Sequence, residues 1–268
     1  MKTFTIILLI PLSITIFGGI DNPPGTVKIE ENLFCDITEV SNLEWKEYTH
    51  WAKHKFGEQS AKYQNTLPDT IVWRQGPYNE PYIQYYYQHP AYQNYPVVGI
   101  SYEQAKAFCT WRSDRVNEKI YIEKHKIDPE QIATVKNIPA VYTYRLPTKK
   151  EWEKIARADY SKKAKRKFKR KKYRDADRHN FKTAQEEKDT GITDKPDITN
   201  QVDAYWKNTY GVYNILGNVA EMMAQKGIAK GGSWRHKASD VSVEKDFTYD
   251  SPADWLGFRC VCEKNTGE

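Results

Sequence analysis

Thiols are scarce in this sequence, and their placement matters. Its 268 residues carry four Cys and three Met, and no Cys falls between Cys109 and Cys260. Cys260-x-Cys262 is tighter than the C-x2-C spacing of thiolate metal sites and has no second pair, which argues against such a centre. There is no Gly-rich phosphate loop and no nucleophile elbow, so neither phosphate binding nor serine-hydrolase chemistry has a motif to rest on. The 14 Gly and 13 Pro exclude a collagen-like or linker-rich chain. No apolar run beyond residue 19 is long enough to cross a bilayer, and mean hydropathy is −0.80, which excludes a polytopic membrane protein.

Aromatic residues are abundant, at 19 Tyr, 9 Phe and 8 Trp. A disordered chain would be poor in them. They point instead to one sizeable core built on large rings with polar tips.

The N-terminus opens with a positive Met1-Lys2 and continues as TFTIILLIPLSITIFGG, closed by Gly18 and Gly19. This reads as an export signal over 1–19, leaving 20–268 as one domain bound for the periplasm, cell surface or medium. The alternative, an uncleaved anchor, is slightly short. No Cys follows the run, so a lipoprotein signal is not indicated. Export favours disulfides among Cys35, Cys109, Cys260 and Cys262, and spacing alone does not choose the pairing.

Net charge is +6, and much of the basic excess sits in KKAKRKFKRKKYR, residues 162–174. Such a run suits an acidic partner or anionic surface, or is simply a solvated loop. No nucleic-acid fold signature accompanies it, so no nucleic acid is expected as a partner.

Periodicity and caps predict a strand over 32–38, a helix from Ser41 with Glu44 closing a capping box, and a strand over 96–100. They also predict a helix from Ser101 with Gln104, and one from Thr148 with Glu151. Cys109 falls on the apolar stripe of the second helix. Residues 57–95 read as irregular and Tyr-rich, and insertions fall at about 112–143 and 160–178. His50 and His54 stand at i and i+4, a metal-capable spacing that, without a carboxylate motif, reads as a solvated helix face.

Four segments stand in a specific order: DITEVSNLEWKEY (36–48), YPVVGISYEQAKAFCTW (95–111), YRLPTKKEWEKIARA (144–158), and NTYGVYNILGNVAE through GGSW to GFRC (208–260). This resembles the formylglycine-generating enzyme family, also called the sulfatase-modifying-factor domain, over about residues 26–262. The insertions look like those of members tied to gliding motility and type IX secretion in Bacteroidetes. The resemblance implies an α+β, C-type-lectin-like fold in a single domain with long ordered loops.

It also implies site residues. The family's oxidase, which converts cysteine to formylglycine, binds copper through two Cys after GGS. Here those positions are His236 and Val241, so copper and the oxidase reaction are not expected: soft thiolates hold Cu(I), and valine cannot. A calcium ion would be held by Asn214 and Glu221 side chains with the carbonyls of Gly217 and Val219, a hard-oxygen set. Without it, Glu221 and those carbonyls would be an all-acceptor cluster, costly when buried. A second calcium would use Asn180, Phe181, Asp194 and Pro196. By the same resemblance Cys109 pairs with Cys260, which leaves Cys35 and Cys262 for a second bridge between terminal strands.

The leading expectation is an exported, non-catalytic module, structural or binding, with protein partners in a cell-envelope, secretion or gliding assembly. The alternatives are a metal-dependent oxidase with an altered site at His236, and a lectin-like glycan binder using the Tyr-rich 78–95 surface.

Overall fold

The computed structural model describes residues 22–75, 80–169, 179–182 and 198–266, so the predicted signal at 1–19 lies outside them. Eight short strands are described: β1 (Thr26–Lys28), β2 (Leu33–Asp36), β3 (Tyr142–Arg145), β4 (Ala220–Met222), β5 (Ile228–Lys230), β6 (Phe247–Thr248), β7 (Leu256–Gly257) and β8 (Val261–Lys264). They form two sheets, ordered β1-β2-β8-β3 and β6-β5-β4-β7. The first is antiparallel throughout and pairs the N-terminal strands with the C-terminal one; in the second, β4 and β7 run parallel. The helices are α1 (Asn42–Phe56), α2 (Ala61–Gln64), α3 (Glu80–Gln88), α4 (Tyr102–His125), α5 (Lys149–Ala156) and α6 (Lys162–Phe168). Among the described residues no helix is long and apolar enough to cross a membrane.

The predicted caps set where three helices begin. Ser41, Ser101 and Thr148 each accept from the backbone N–H three residues on, and Glu44, Gln104 and Glu151 each reach back to the cap N–H. Each such cap is worth about 1 kcal/mol. Glu151 also meets Arg145, and these bonds outweigh the desolvation that opposes them, pulling its carboxyl down to about 2.

Strand alternation divides the core. Phe34, Tyr142, Tyr144, Cys260 and Cys262 pack with Trp45 and Tyr48 of α1 and Phe108, Cys109 and Trp111 of α4. Leu33, Cys35 and Val261 point the other way, onto Trp152 and Ile155 of α5. Trp45 is fully buried, stacked on Phe108 with centroids 5.4 Å apart and edge-on to Phe258 at 6.0 Å. Such pairs add about 0.5–1.5 kcal/mol each beyond area burial.

Four local expectations change. The Tyr-rich stretch is not irregular: Glu80 and Pro81 suit the first turn of α3, which buries Tyr86 and Tyr87. Tyr86 donates to the Pro96 carbonyl at 2.7 Å, and that hydroxyl also lies 2.7 Å from Thr199 Oγ1. Residues 76–79 of the tract lie outside the described structure. Residues 96–100 form no strand; Val97 N–H bonds Val40 O and Gly99 N–H bonds Ala253 O, while Gly99 turns the chain at φ +73. The helix starting after Ser101 runs on into the expected insertion as far as His125. The basic run begins as helix α6, capped by Ser161, with Ala164 buried and Lys167 over the Trp206 ring.

Candidate functional site

The segment 213–221 is drawn tightly through the interior. Asn214 and Asn218 take left-handed backbone (φ 47 and 61), as does Gly217 (φ 81). A Cβ on Gly217 would lie 2.9 Å from Asn180 O, so only glycine admits this approach. Asn180 O accepts from Asn218 N–H, and Asn180 Nδ2 donates to Ile198 O at 2.9 Å. The structure thus brings Asn180 to the 214–221 segment, while the Phe181 ring packs on His179 with centroids 5.5 Å apart. Asp194 and Pro196 lie outside the described residues.

Glu221 does not face an all-acceptor cluster, and that expectation is corrected. Its Oε1 accepts from Arg259 Nη2 at 2.6 Å, and its Oε2 from Arg259 Nε at 2.8 Å and Trp152 Nε1 at 2.7 Å. Both members of the pair are 0% exposed. Burial works against the guanidinium charge, but Glu221 and then Glu39 outweigh it and hold Arg259 protonated.

A second carboxylate is buried in the same cluster. Glu39 accepts from Asn218 Nδ2 at 2.9 Å and Asn214 Nδ2 at 3.2 Å. Burial pushes its carboxyl up to about 8, against the pull of Arg259. Asn214 Nδ2 also donates to Gln201 O and Val202 O, yet its Oδ1 is buried with no partner. Arg259 is thus paired with Glu221, Glu39 is held by the two Asn amides, and Asn214 Oδ1 is left without a donor. Such a donor set suits a further hard cation: Asn214 Oδ1 is free, and Glu221 Oε1 keeps a lone pair. Glu39, Asn218 and Arg259 were not singled out from the sequence. The available signals were a Glu inside the apolar run before Ser41 and the Arg of GFR. Ala220 and Met222, on either side of Glu221, are fully buried in the core.

The GGSW turn lies beside this cluster. Gly231 and Gly232 are both left-handed (φ 89 and 66). A Cβ on Gly232 would lie 2.4 Å from Val241 Cγ2, so Val241 is seated against this backbone. Ser233 Oγ lies 2.7 Å from His236 Nδ1, and His236 N–H bonds Ser233 O at 2.9 Å. The His236 ring packs on Phe247 (4.3 Å) and edge-on to Trp255 (5.3 Å). Burial lowers its pKa, partly offset by Asp240. Next to it, Arg235 forms a forked pair with Asp254, which is 2% exposed. Among the described residues, no three His, Cys, Asp or Glu side chains converge as a metal-holding group.

The four Cys are buried thiols. Cys109 and Cys260 Sγ atoms lie 3.5 Å apart, and burial, reinforced by Cys109, holds the Cys260 thiol protonated. The expected second bridge is contradicted. Cys35 pairs in register with Val261, and Cys262 with Phe34. Their side chains leave opposite faces of the sheet, Cys35 toward α5 and Cys262 toward α4, so no bond can join them in this fold.

Residues 11–264 match the model of the sulfatase-modifying factor enzyme 1-like domain, and the chain belongs to that family. The two-sheet α+β architecture is accordingly of the C-type-lectin-like kind. Similar solved structures include CarF (16% identity, 90% of this chain and 96% of that chain, TM-score 0.47). A Treponema denticola variable protein 1 matches at 15% identity over 91% and 92%, also with a TM-score of 0.47. PvdO from Pseudomonas aeruginosa matches at 16% identity and a TM-score of 0.41, over 64% of this chain and 63% of that one, under two thirds of its length.

Proposed function

We propose that this protein is an exported, non-catalytic member of the family, serving as a structural or binding module in a cell-envelope assembly of the gliding or type IX secretion kind. The observation that carries the reading is the site after GGS. Where the family's oxidase has paired thiols, this chain has His236, held to Ser233 and two aromatic rings, and Val241, packed on Gly232. Neither position offers the second soft ligand that copper(I) chemistry requires. The apolar N-terminal run supports export.

A structural calcium ion belongs to this proposal. Asn214 Oδ1, the carbonyls of Gly217 and Val219, and the remaining lone pair of Glu221 Oε1 would hold it. The ion would give the buried Asn214 Oδ1 the partner it lacks. Asn180, Phe181, Asp194 and Pro196 are proposed for the second ion on the family pattern.

Cys109 and Cys260 are proposed to be joined in the exported protein, closing a loop over more than half the chain. Loop entropy assigns such a bridge about 4–5 kcal/mol. Non-reducing peptide mapping should link Cys109 to Cys260 and leave Cys35 and Cys262 reduced. A Cys35–Cys262 peptide would contradict the strand register.

The basic 162–174 segment is proposed to meet an acidic partner or anionic surface. Crosslinking the protein in its own envelope tests the module reading. A stoichiometric protein neighbour, lost when the lysines and arginines of 162–167 are replaced by Gln, is the expected result. Crosslinked material that is only monomer would count against it.

A further inference from the structure

The first helix carries a pair of imidazoles that nothing in the proposed function uses. His50 and His54 both lie on the exposed face of α1. Their Nε2 atoms share a hydrogen bond at 3.0 Å, one ring donating and the other accepting, with ring centroids at 4.2 Å. Lys53, between them on the helix, is bonded to Glu58 at 2.7 Å. The remaining exposed helical imidazole, His125 on α4, differs: it lies against Tyr121, ring centroids 4.2 Å apart.

We propose that His50 and His54 form a surface site for a divalent transition-metal ion, taken through both Nε2 atoms with water completing the coordination, and that copper(II) is its preferred occupant. The separation supplies the geometric argument. With metal–nitrogen bonds of about 2.0–2.1 Å, two neighbouring ligand nitrogens lie about 2.9 Å apart at a right angle and about 3.3 Å apart at the tetrahedral angle. The observed 3.0 Å hydrogen-bonded separation falls within this range, so an ion replacing the shared proton needs little movement of either ring. The affinity order of first-row divalent ions for nitrogen ligands favours copper(II). The i,i+4 spacing on a helix of about four turns fixes the two rings on one face, so much of the ordering cost is met by the fold. This site is separate from the GGSW turn and from the calcium set, and it stands whether or not the module reading holds.

Copper(II) titration of the full chain, followed by visible absorption and electron paramagnetic resonance, tests it. The expected result is one tightly bound ion with a spectrum of two equatorial nitrogens. His50→Ala and His54→Ala should each weaken that binding by about tenfold or more and remove the two-nitrogen signature. His125→Ala should change neither, and zinc should bind more weakly than copper. Alanine at exposed helical positions preserves the helix, which circular dichroism checks. A copper affinity and spectrum unchanged in both His50→Ala and His54→Ala would overturn the proposal, and so would tighter binding of zinc than of copper.

Discussion

Arg259→Met should cost about 3–5 kcal/mol of stability, enough to unfold much of a marginal domain. The substitution nearly conserves volume, so packing is not what fails. It removes both charge-assisted bonds to Glu221 and leaves that carboxylate buried with no internal counter-charge. The Arg259 Nη2 bond to the Tyr213 carbonyl at 2.9 Å is lost with them, freeing the entry to the 214–221 segment. Chemical denaturation measures the loss. Adding Glu221→Gln to Arg259→Met should recover part of it, because the worst uncompensated charge then disappears, and the two effects should be coupled by about 0.5–3 kcal/mol. An Arg259→Met protein as stable as the parent would mean that the buried pair is not what holds this segment.

Chelation should give the second large effect. An ion that binds only the folded state stabilises by mass action, about 2.7 kcal/mol at a hundred times its dissociation constant. For a domain of this size that is a fall of about 5–10 °C in the thermal midpoint on adding EGTA. Glu221→Gln is a poor probe, because it also breaks the pair with Arg259. Asn214→Ala is better: it removes the orphaned Oδ1, and its general destabilisation cancels when each protein is compared with and without calcium. The calcium-dependent difference should shrink to near zero in Asn214→Ala and fall by a smaller amount in Asn180→Ala. Melting points that ignore the chelator in all three proteins would make 214–221 a turn held by Asn side chains and Arg259 alone.

Local signals in the sequence were readable wherever the determining residues sit within one turn of each other. Ser41 with Glu44, Ser101 with Gln104, and Thr148 with Glu151 fix three helix starts by contacts three residues apart, and all three boxes form. The family motifs, likewise compact, lead to the fold. The Tyr-rich helix α3 was missed because Pro81 and Pro90 look like breakers, although Pro81 occupies the first turn, where proline is tolerated. The buried cluster was hidden for a different reason. Glu221 and Arg259 are 38 residues apart, and Glu39 is 179 from Asn218, so no window joins them. Reading Glu221 as a lone metal carboxylate follows from the motif; the Arg259 guanidinium against it follows only from the fold. The Cys35–Cys262 pairing failed on parity: adjacent strands bring two residues close, but register decides which face each takes.

The non-catalytic reading is most directly tested by offering the purified protein copper, oxygen and a Cys-x-Pro-x-Arg peptide, and measuring aldehyde by mass spectrometry. His236 and Val241 at the thiol positions predict no aldehyde above the protein-free control. Measurable turnover that disappears in His236→Ala would contradict that reading and make this turn an active site.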